Sequence, residues 1–192
     1  MFRRLGTGRA RAAIAAAAAL ALVGGGGYAA GPASAATSVV DGFEGNPYTN
    51  WSTRDTPGDS FVWLGDHTQS RTGINSGHFY APFDVPARAY RPVVVDRPSP
   101  NPSWCYAEAW LKRAPVWHNN PGTEKKPRVS LVIRNGLVVV GGTTYTLENF
   151  EYRRAPFASF RYRQPDLTVD ISVTNGMAYV DDVTVWCVQE IG

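Results

Sequence analysis

The chain is poor in the residues from which metal and catalytic centres are most often built. Among its 192 residues are three histidines and two cysteines. His67, His78 and His118 stand far apart, with no H-x-x-H or H-x-H spacing, so the common zinc arrangements are excluded and satisfied loop or surface positions are expected for them. No G-x-S-x-G, P-loop or glycine-rich dinucleotide fingerprint occurs, which removes the local signatures of a nucleophile elbow and of nucleotide binding. Charge is also scarce, at 18%, while aromatic residues reach 12%, the opposite of a disordered composition. The formal net charge of +3 is misleading, because Arg3, Arg4, Arg9 and Arg11 all lie in the first 35 residues, which hold no acidic residue. Beyond them, 19 − 4 = 15 basic side chains face 16 acidic ones, a net charge of −1. Such a body has no broad positive field to gather phosphates, so nucleic acid is not expected as a partner.

The N-terminus has a different character. Its four arginines precede an apolar run of about a dozen residues, from Ala12-Ala13-Ile14 to Leu20-Ala21-Leu22-Val23. Gly24 to Gly27 interrupt that run, and Ala33-Ser34-Ala35 supplies a small-x-small cleavage site. This is the tripartite secretory pattern, and the run is shorter than the ~20 residues of a membrane span. Residues 1–35 are therefore read as a signal peptide and 36–192 as a single secreted, extracellular domain; an uncleaved anchor would need a longer apolar core. No other stretch is apolar for long enough to cross a bilayer, so no membrane association is expected after cleavage. The remaining 157 residues (192 − 35) can bury roughly 70% of the surface their unfolded chain exposes.

From residue 37 onward helical periodicity is missing, while short β-branched and aromatic runs recur between turn signals. Strands are expected over Val39–Glu44, Ser60–Leu64, Gly77–Phe83, Ala87–Val95, Trp104–Lys112, Arg128–Arg134, Leu137–Val140, Thr143–Leu147, Phe157–Arg163, Leu167–Thr174 and Met177–Val188. Asn135-Gly136 and Asn175-Gly176 lie between apolar runs and tolerate the positive φ of a type I′ turn, which makes both hairpin signals; Gly141-Gly142 is a weaker third. Pro98, Pro100 and Pro102 read as an extended crossing loop. The fold class is all-β, an antiparallel two-sheet sandwich of jelly-roll type, and a monomer is expected.

In an oxidising compartment the isolated pair Cys105 and Cys187 reads as a disulfide, the alternative being two separate buried thiols. Neither has a neighbouring His or Lys to lower its pKa, so both are structural.

Alternation along Trp104–Leu111 separates two faces. Cys105, Ala107, Ala109 and Leu111 form a small apolar set, and Trp104, Tyr106, Glu108 and Trp110 form the other. Three rings around a carboxylate suit sugar recognition, since rings offer stacking faces and a carboxylate accepts hydrogen bonds from hydroxyls. Large aromatics are also core residues, and the opposite arrangement puts this face inside, with the Cys-Ala-Ala-Leu face under a loop.

In the last apolar run, pairing across Asn175-Gly176 would set Val173 opposite Ala178 and Ile171 opposite Val180. Val183, Val185 and Cys187 are out of phase with Val180, and an extra residue at Asp181-Asp182 repairs this, so a β-bulge is expected there. A bulge re-aims side chains, and two adjacent acids at such a point suit either a hard-cation site or an ordinary solvated pair.

The opening Asp41-Gly42-Phe43-Glu44-Gly45 followed by Trp51 resembles the "N-G-x-F-E … W" start of family 4, 9 and 22 carbohydrate-binding modules. The segment from Ala178 to Val185, with Tyr179-Val180-Asp181-Asp182-Val183, is similar to their closing "Y-I-D-D-V-x-L" strand. Asn75-Ser76-Gly77 resembles their "S-G" turn, Tyr106 to Lys112 their "Y-x-x-S-x-W-V-K" strand, and Arg128–Ile133 the strand after it. The resemblance covers nearly all of 36–192. It implies a jelly roll binding polysaccharide along one sheet's concave face or at loop tips, with a structural Ca²⁺ joining the chain ends. By motif, Glu44 and Asp181 would be carboxylate ligands, with Asp182 the substitute if the bulge falls one residue later. Backbone carbonyls around Asn75 to Gly77 would complete the shell. The chain departs from the family at Asn149-Phe150-Glu151-Tyr152, where a Trp is frequent, and no catalytic segment accompanies the module.

The functional expectation is a secreted, non-catalytic module binding a polysaccharide or cell-surface glycan through Trp104, Tyr106, Glu108 and Trp110, with Ca²⁺ as structural cofactor. Two alternatives stand beside it. One is a protein-binding or adhesion sandwich. The other is a small jelly-roll glycoside hydrolase or lyase, for which Glu108 and Asp170 are conceivable paired carboxylates; the Q-I-H signature of one lyase family is missing. Arg153, Arg154, Arg161 and Arg163 with Tyr152, Phe160 and Tyr162 form either a basic–aromatic patch for an anionic sugar or phosphate, or a solvated strand with its rings turned inward. Lys125-Lys126 reads as a solvated loop tip, and Asn50-Trp51-Ser52 fits a glycosylation sequon frequent by chance.

Overall fold

The computed structural model describes residues 39–54, 59–94, 103–115, 125–162 and 167–189. Residues 1–35, expected to be a signal peptide, the Pro98–Pro102 connection, His118 and Arg163 lie outside them. In chain order the strands are β1 (Val39–Asp41), β2 (Ser52–Arg54), β3 (Phe61–Asp66), β4 (Ser76–Ala81), β5 (Ala87–Val93), β6 (Ser103–Arg113), β7 (Arg128–Asn135), β8 (Val138–Thr146), β9 (Arg153–Tyr162), β10 (Leu167–Thr174) and β11 (Gly176–Gln189). A 3₁₀ turn, Pro47–Thr49, precedes β2. One sheet runs β3-β4-β11-β6-β9, with β1 added beside the second half of β11; the other runs β2-β5-β10-β7-β8. Every pairing among the described strands is antiparallel. The two-sheet sandwich expected from the strand pattern is thus the observed architecture.

Period-two alternation decides what fills the space between the sheets. Cys105, Ala107, Ala109 and Leu111 of β6, Val180, Val183, Val185 and Cys187 of β11, Val129, Leu131 and Ile133 of β7, and Val169, Ile171 and Val173 of β10 belong to one buried cluster. Each fully buried Val, Leu or Ile contributes roughly 1.5–3 kcal/mol against conformational entropy. Cys105 and Cys187 are direct partners on neighbouring strands, with Cα atoms 4.0 Å apart, and form a disulfide within one sheet. The predicted bulge is present: Asp181 pairs with Trp110 but Thr184 with Glu108, and the extra residue keeps both Val180 and Val183 inside.

Several local expectations are corrected. Asn175-Gly176 is not a hairpin, because β10 and β11 lie in different sheets. Val173 pairs with Ala87 and Val129, whereas Ala178 pairs with Phe79 and Arg113. Asn175 (φ 60°) and Gly176 (φ 144°) turn the chain from one sheet to the other, and positive φ serves a corner as well as a hairpin. The Asn175 N–H donates to the Phe83 carbonyl at 3.0 Å and its amide Nδ2 to Asp84 at 2.7 Å, which pins the corner. The β7–β8 hairpin does form, but Asn135 pairs with Val138, so Gly136 and Leu137 are its central residues. Of these two only Gly136 has positive φ, at 57°, the sign pattern of a type II′ turn.

Gly141-Gly142 is no turn; both residues lie inside β8. A Cβ at Gly141 would come 2.8 Å from the Ala158 Cβ, and one at Gly142 2.9 Å from the Leu131 carbonyl, so these glycines mark close approach. β9 starts at Arg153 rather than Phe157, because its edge position tolerates Pro156, opposite a register shift at Ala107/Glu108.

Candidate functional site

The two faces of β6 are now assigned. Cys105, Ala107, Ala109 and Leu111 are buried in the core, while Trp104, Tyr106, Glu108 and Trp110 are half-buried on the outer side of the sheet. The arrangement with these aromatics inside is therefore excluded. Register carries the same face across the neighbouring strands: Val188, Trp104 and Arg161 share a row, then Trp186, Tyr106 and Ser159, then Thr184, Glu108 and Pro156. Trp186 lies on the expected outer side of β11, yet sequence reasoning missed it. Its alternation with Val185 and Cys187, once the bulge is placed, was the available signal.

Tyr106 and Trp186 stack with ring centroids 5.5 Å apart and planes 24° from parallel. Beside them an open groove of about 390 Å³ is lined by Tyr106, Glu108, Trp186, Arg154, Pro156 and Ser159, among others. Arg154 donates from Nε at 2.7 Å, and from Nη2, to one oxygen of Glu108. That hydrogen bond, and then the Glu108 charge, push the guanidinium pKa further up. The four expected ligand residues therefore divide. Tyr106 and Glu108 line the groove, Trp104 flanks it with the Arg161 guanidinium 5.6 Å from its ring, and Trp110 lies under Arg71 at 3.6 Å. Within the basic–aromatic patch, Arg154 and Arg161 face outward and Phe160 packs into the core.

Toward β4 the outer face of this sheet is covered. Tyr80, Ala114, Met177 and Tyr179 form a second buried cluster with Phe61 and Tyr152 packed on it. Lys112 and the Tyr152 hydroxyl both bond Gln69, which ties the loop after β3 across this end. Beneath it His78 Nδ1 lies 3.2 Å from Asp66, a buried pair, whereas His67 is exposed. The open part is thereby confined to the β6–β9 end and the second half of β11.

Glu44, Asp181 and Asp182 all border Gly42, Glu44 through its Cγ rather than its carboxylate. A Cβ there would lie 3.4 Å from Asp182 Oδ1, 3.5 Å from Asp181 Oδ1 and 3.9 Å from Glu44 Cγ. Glu44 Oε1 accepts the N–H groups of Ile74 (2.8 Å) and Asn75 (3.0 Å). Asp181 accepts those of Arg71 (2.6 Å) and Asp182 (2.8 Å), and Asp182 is ion-paired with Arg71. Burial pushes the Asp181 carboxyl up to about 6, against the lowering effect of those N–H groups. Phe43 holds a positive φ of 58° with its ring buried against Trp51 at 5.1 Å, which aims the following Glu44 at the cluster.

Among the described residues no three His, Cys, Asp or Glu side chains close on one point as a ready metal cage. The donor chemistry nevertheless fits a hard cation: the cluster is all oxygen, and the buried side-chain oxygen of Asn75 accepts no hydrogen bond.

The hydrolase pairing fails on geometry. Glu108 is on the outer side of β6, but Asp170 is on the outer side of β10, in the other sheet, 3.4 Å from Arg134. The core lies between them, so they share no cleft.

No protein-family model matches the chain, and no curated protein matches its sequence. Its fold does match solved structures. A family 61 module, TmCBM61, solved with β-1,4-galactotriose, is 13% identical with a TM-score of 0.54, over 78% of this chain and 95% of that one. The CBM22-1 xylan-binding domain from Paenibacillus barcinonensis Xyn10C is 10% identical with a TM-score of 0.53, over 80% and 95%. A cyclase from Fischerella sp. TAU is 11% identical with a TM-score of 0.60, over 81% and 100%. At such identities the likeness concerns the fold alone, and that fold is the jelly roll of carbohydrate-binding modules, a scaffold that a cyclase also uses.

Proposed function

We propose that this is a secreted, non-catalytic polysaccharide-binding protein whose ligand lies in the open groove beside β6, β9 and the second half of β11. The observation that carries this reading is the stacked Tyr106–Trp186 pair in the groove wall, outside a fully packed core. The binding modules among the solved structures with this fold support it, as do the arginine-then-alanine N-terminus and the disulfide for export. Tyr106 and Trp186 offer the stacking surface, Trp104 and Trp110 extend it, and Glu108 orients Arg154. Glu108 is committed to Arg154 and Asp170 lies on the far sheet, so these two do not act as paired carboxylates.

Ring stacking contributes about 0.5–1.5 kcal/mol per contact, so micromolar to millimolar affinity is expected. Affinity electrophoresis of the oxidised protein on xylan, β-glucan, galactan and polygalacturonate gels tests this. Retardation should weaken about two- to tenfold in Tyr106→Ala and Trp186→Ala. Binding unaffected by both variants, or no retardation on any gel, removes the reading.

The proposed cofactor is one structural Ca²⁺, with Glu44 and Asp181 as carboxylate ligands, Asp182 beside them and the Asn75 side-chain oxygen as a further donor. When bound, the ion would neutralise the buried Asp181 and join the loop after β1 to β11. Added Ca²⁺ should raise the melting temperature of chelator-treated protein at pH 7, and Asp181→Asn should abolish the rise. An equal rise in that variant would exclude the site.

A further inference from the structure

The groove does not reach Trp110. This ring stands on the same face of β6 as Tyr106, four residues further along, ~13 Å at strand rise. Its register partner on β9, Arg154, belongs to the groove lining, yet the groove stops short of Trp110 itself. Lying on the ring instead is Arg71, its guanidinium carbon 3.6 Å from the ring centroid. That is van der Waals contact, and no sugar ring fits between the two.

Arg71 is held in that position by the bulge. Asp182 has a positive φ of 45° there, off the regular alternation of β11, and its carboxylate meets the loop after β3. It is ion-paired with the Arg71 guanidinium and accepts the Thr72 hydroxyl at 2.5 Å. Asp181 accepts the Arg71 N–H at 2.6 Å. On the other side of Arg71 the same loop is fastened at Gln69, by Lys112 and by the Tyr152 hydroxyl. Main chain and side chain of Arg71 are thus both fixed, and the loop is anchored on either side of it.

We propose that Arg71 sets the length of the glycan site: it closes the groove at Trp110, so that a short stretch of chain stacks on Tyr106 and Trp186 and further units toward Trp110 add no affinity. The inference rests on the carbohydrate-binding reading above and adds a length selectivity to it. Contact strengths give the reason. A cation on an aromatic face and a ring stacked on it are worth similar amounts. A sugar that displaced Arg71 would exchange one contact for the other and break the pair with Asp182 besides. Trp110 extends the stacking surface only when Arg71 is off its ring.

The test is calorimetric titration of the full oxidised protein with disaccharides through hexasaccharides made from xylan, β-glucan, galactan and polygalacturonate. Wild-type affinity should level off with length, whereas that of Arg71→Ala should keep rising. The variant should bind the hexasaccharide about two- to tenfold more tightly and the disaccharide equally. Arg71→Gln, whose amide can still donate to Asp182, should shift affinity in the same direction, a gain that misfolding does not produce. Trp110→Ala should leave wild-type affinity within about twofold and abolish the gain in the Arg71→Ala background. Three results overturn the inference: no gain in either Arg71 variant, a gain that survives the loss of Trp110, or an about tenfold loss in Trp110→Ala alone. Carbohydrate binding then stands if Tyr106→Ala and Trp186→Ala still weaken it. Failure of every oligosaccharide to bind removes both.

Discussion

Reducing the disulfide without removing an atom isolates one large contribution to stability. Cys105 and Cys187 are 82 residues apart in sequence, yet they face each other on adjacent strands that are hydrogen-bonded on either side of them. Both side chains lie in the core among Ala107, Val185 and their neighbours, so the reduced thiols remain packed where they were. The native state therefore changes little, and the effect falls on the unfolded chain, which regains the freedom of a closed loop of that length. The chain-entropy relation puts this at roughly 4.5 kcal/mol, about three tenths or more of the 5–15 kcal/mol of a typical domain. Urea unfolding of oxidised and dithiothreitol-treated protein measures it. The reduced form should lose most of that free energy and show a steeper denaturant dependence, since its unfolded state is more open. An unchanged midpoint, or two titratable thiols in the untreated denatured protein, would refute the reasoning.

Two further perturbations probe the neighbourhood of the site. Burial lowers the His78 pKa from 6.5 and outweighs the attraction of Asp66, so below that pH the unfolded state binds more protons than the native one. Stability should accordingly fall as pH drops from about 6.5, and His78→Gln should flatten the slope of melting temperature against pH; a slope of opposite sign would contradict this. Gly73 has φ +62°, and a Cβ there would lie 2.1 Å from Glu44 Oε1, so Gly73→Ala should cost about 1–2 kcal/mol in urea unfolding and displace Glu44 from the Ile74 and Asn75 N–H groups. A neutral substitution would mean that the loop adjusts freely.

Local patterns reported local facts with success. The β6 alternation separated the four small apolar side chains from the aromatic ones, and the broken phase between Val180 and Val183 located the bulge, because both follow from a side-chain period of two. Partner choice did not follow. Asn175-Gly176 advertised positive φ, but whether the chain then folds back on the same sheet or crosses to the other depends on β4 and β6 already flanking β11. Gly141 and Gly142 looked like punctuation because the approach of Ala158 and the Leu131 carbonyl is set by strands that are not their sequence neighbours.

The same division holds for the site. The sequence by itself determined an all-β chain, a cysteine-bearing strand face opposite a ring-bearing one and acids at a bulge, since each depends on residues close together along one strand; which of the two faces is the dry one came from the packed sheets. Only the tertiary structure decided that Trp186 joins Tyr106, that Arg71 covers Trp110 and that Arg154 holds Glu108. Those relations are made by register between strands and by loops laid over them, which span as many as 111 residues in the Arg71–Asp182 contact, and no window of neighbouring residues contains them.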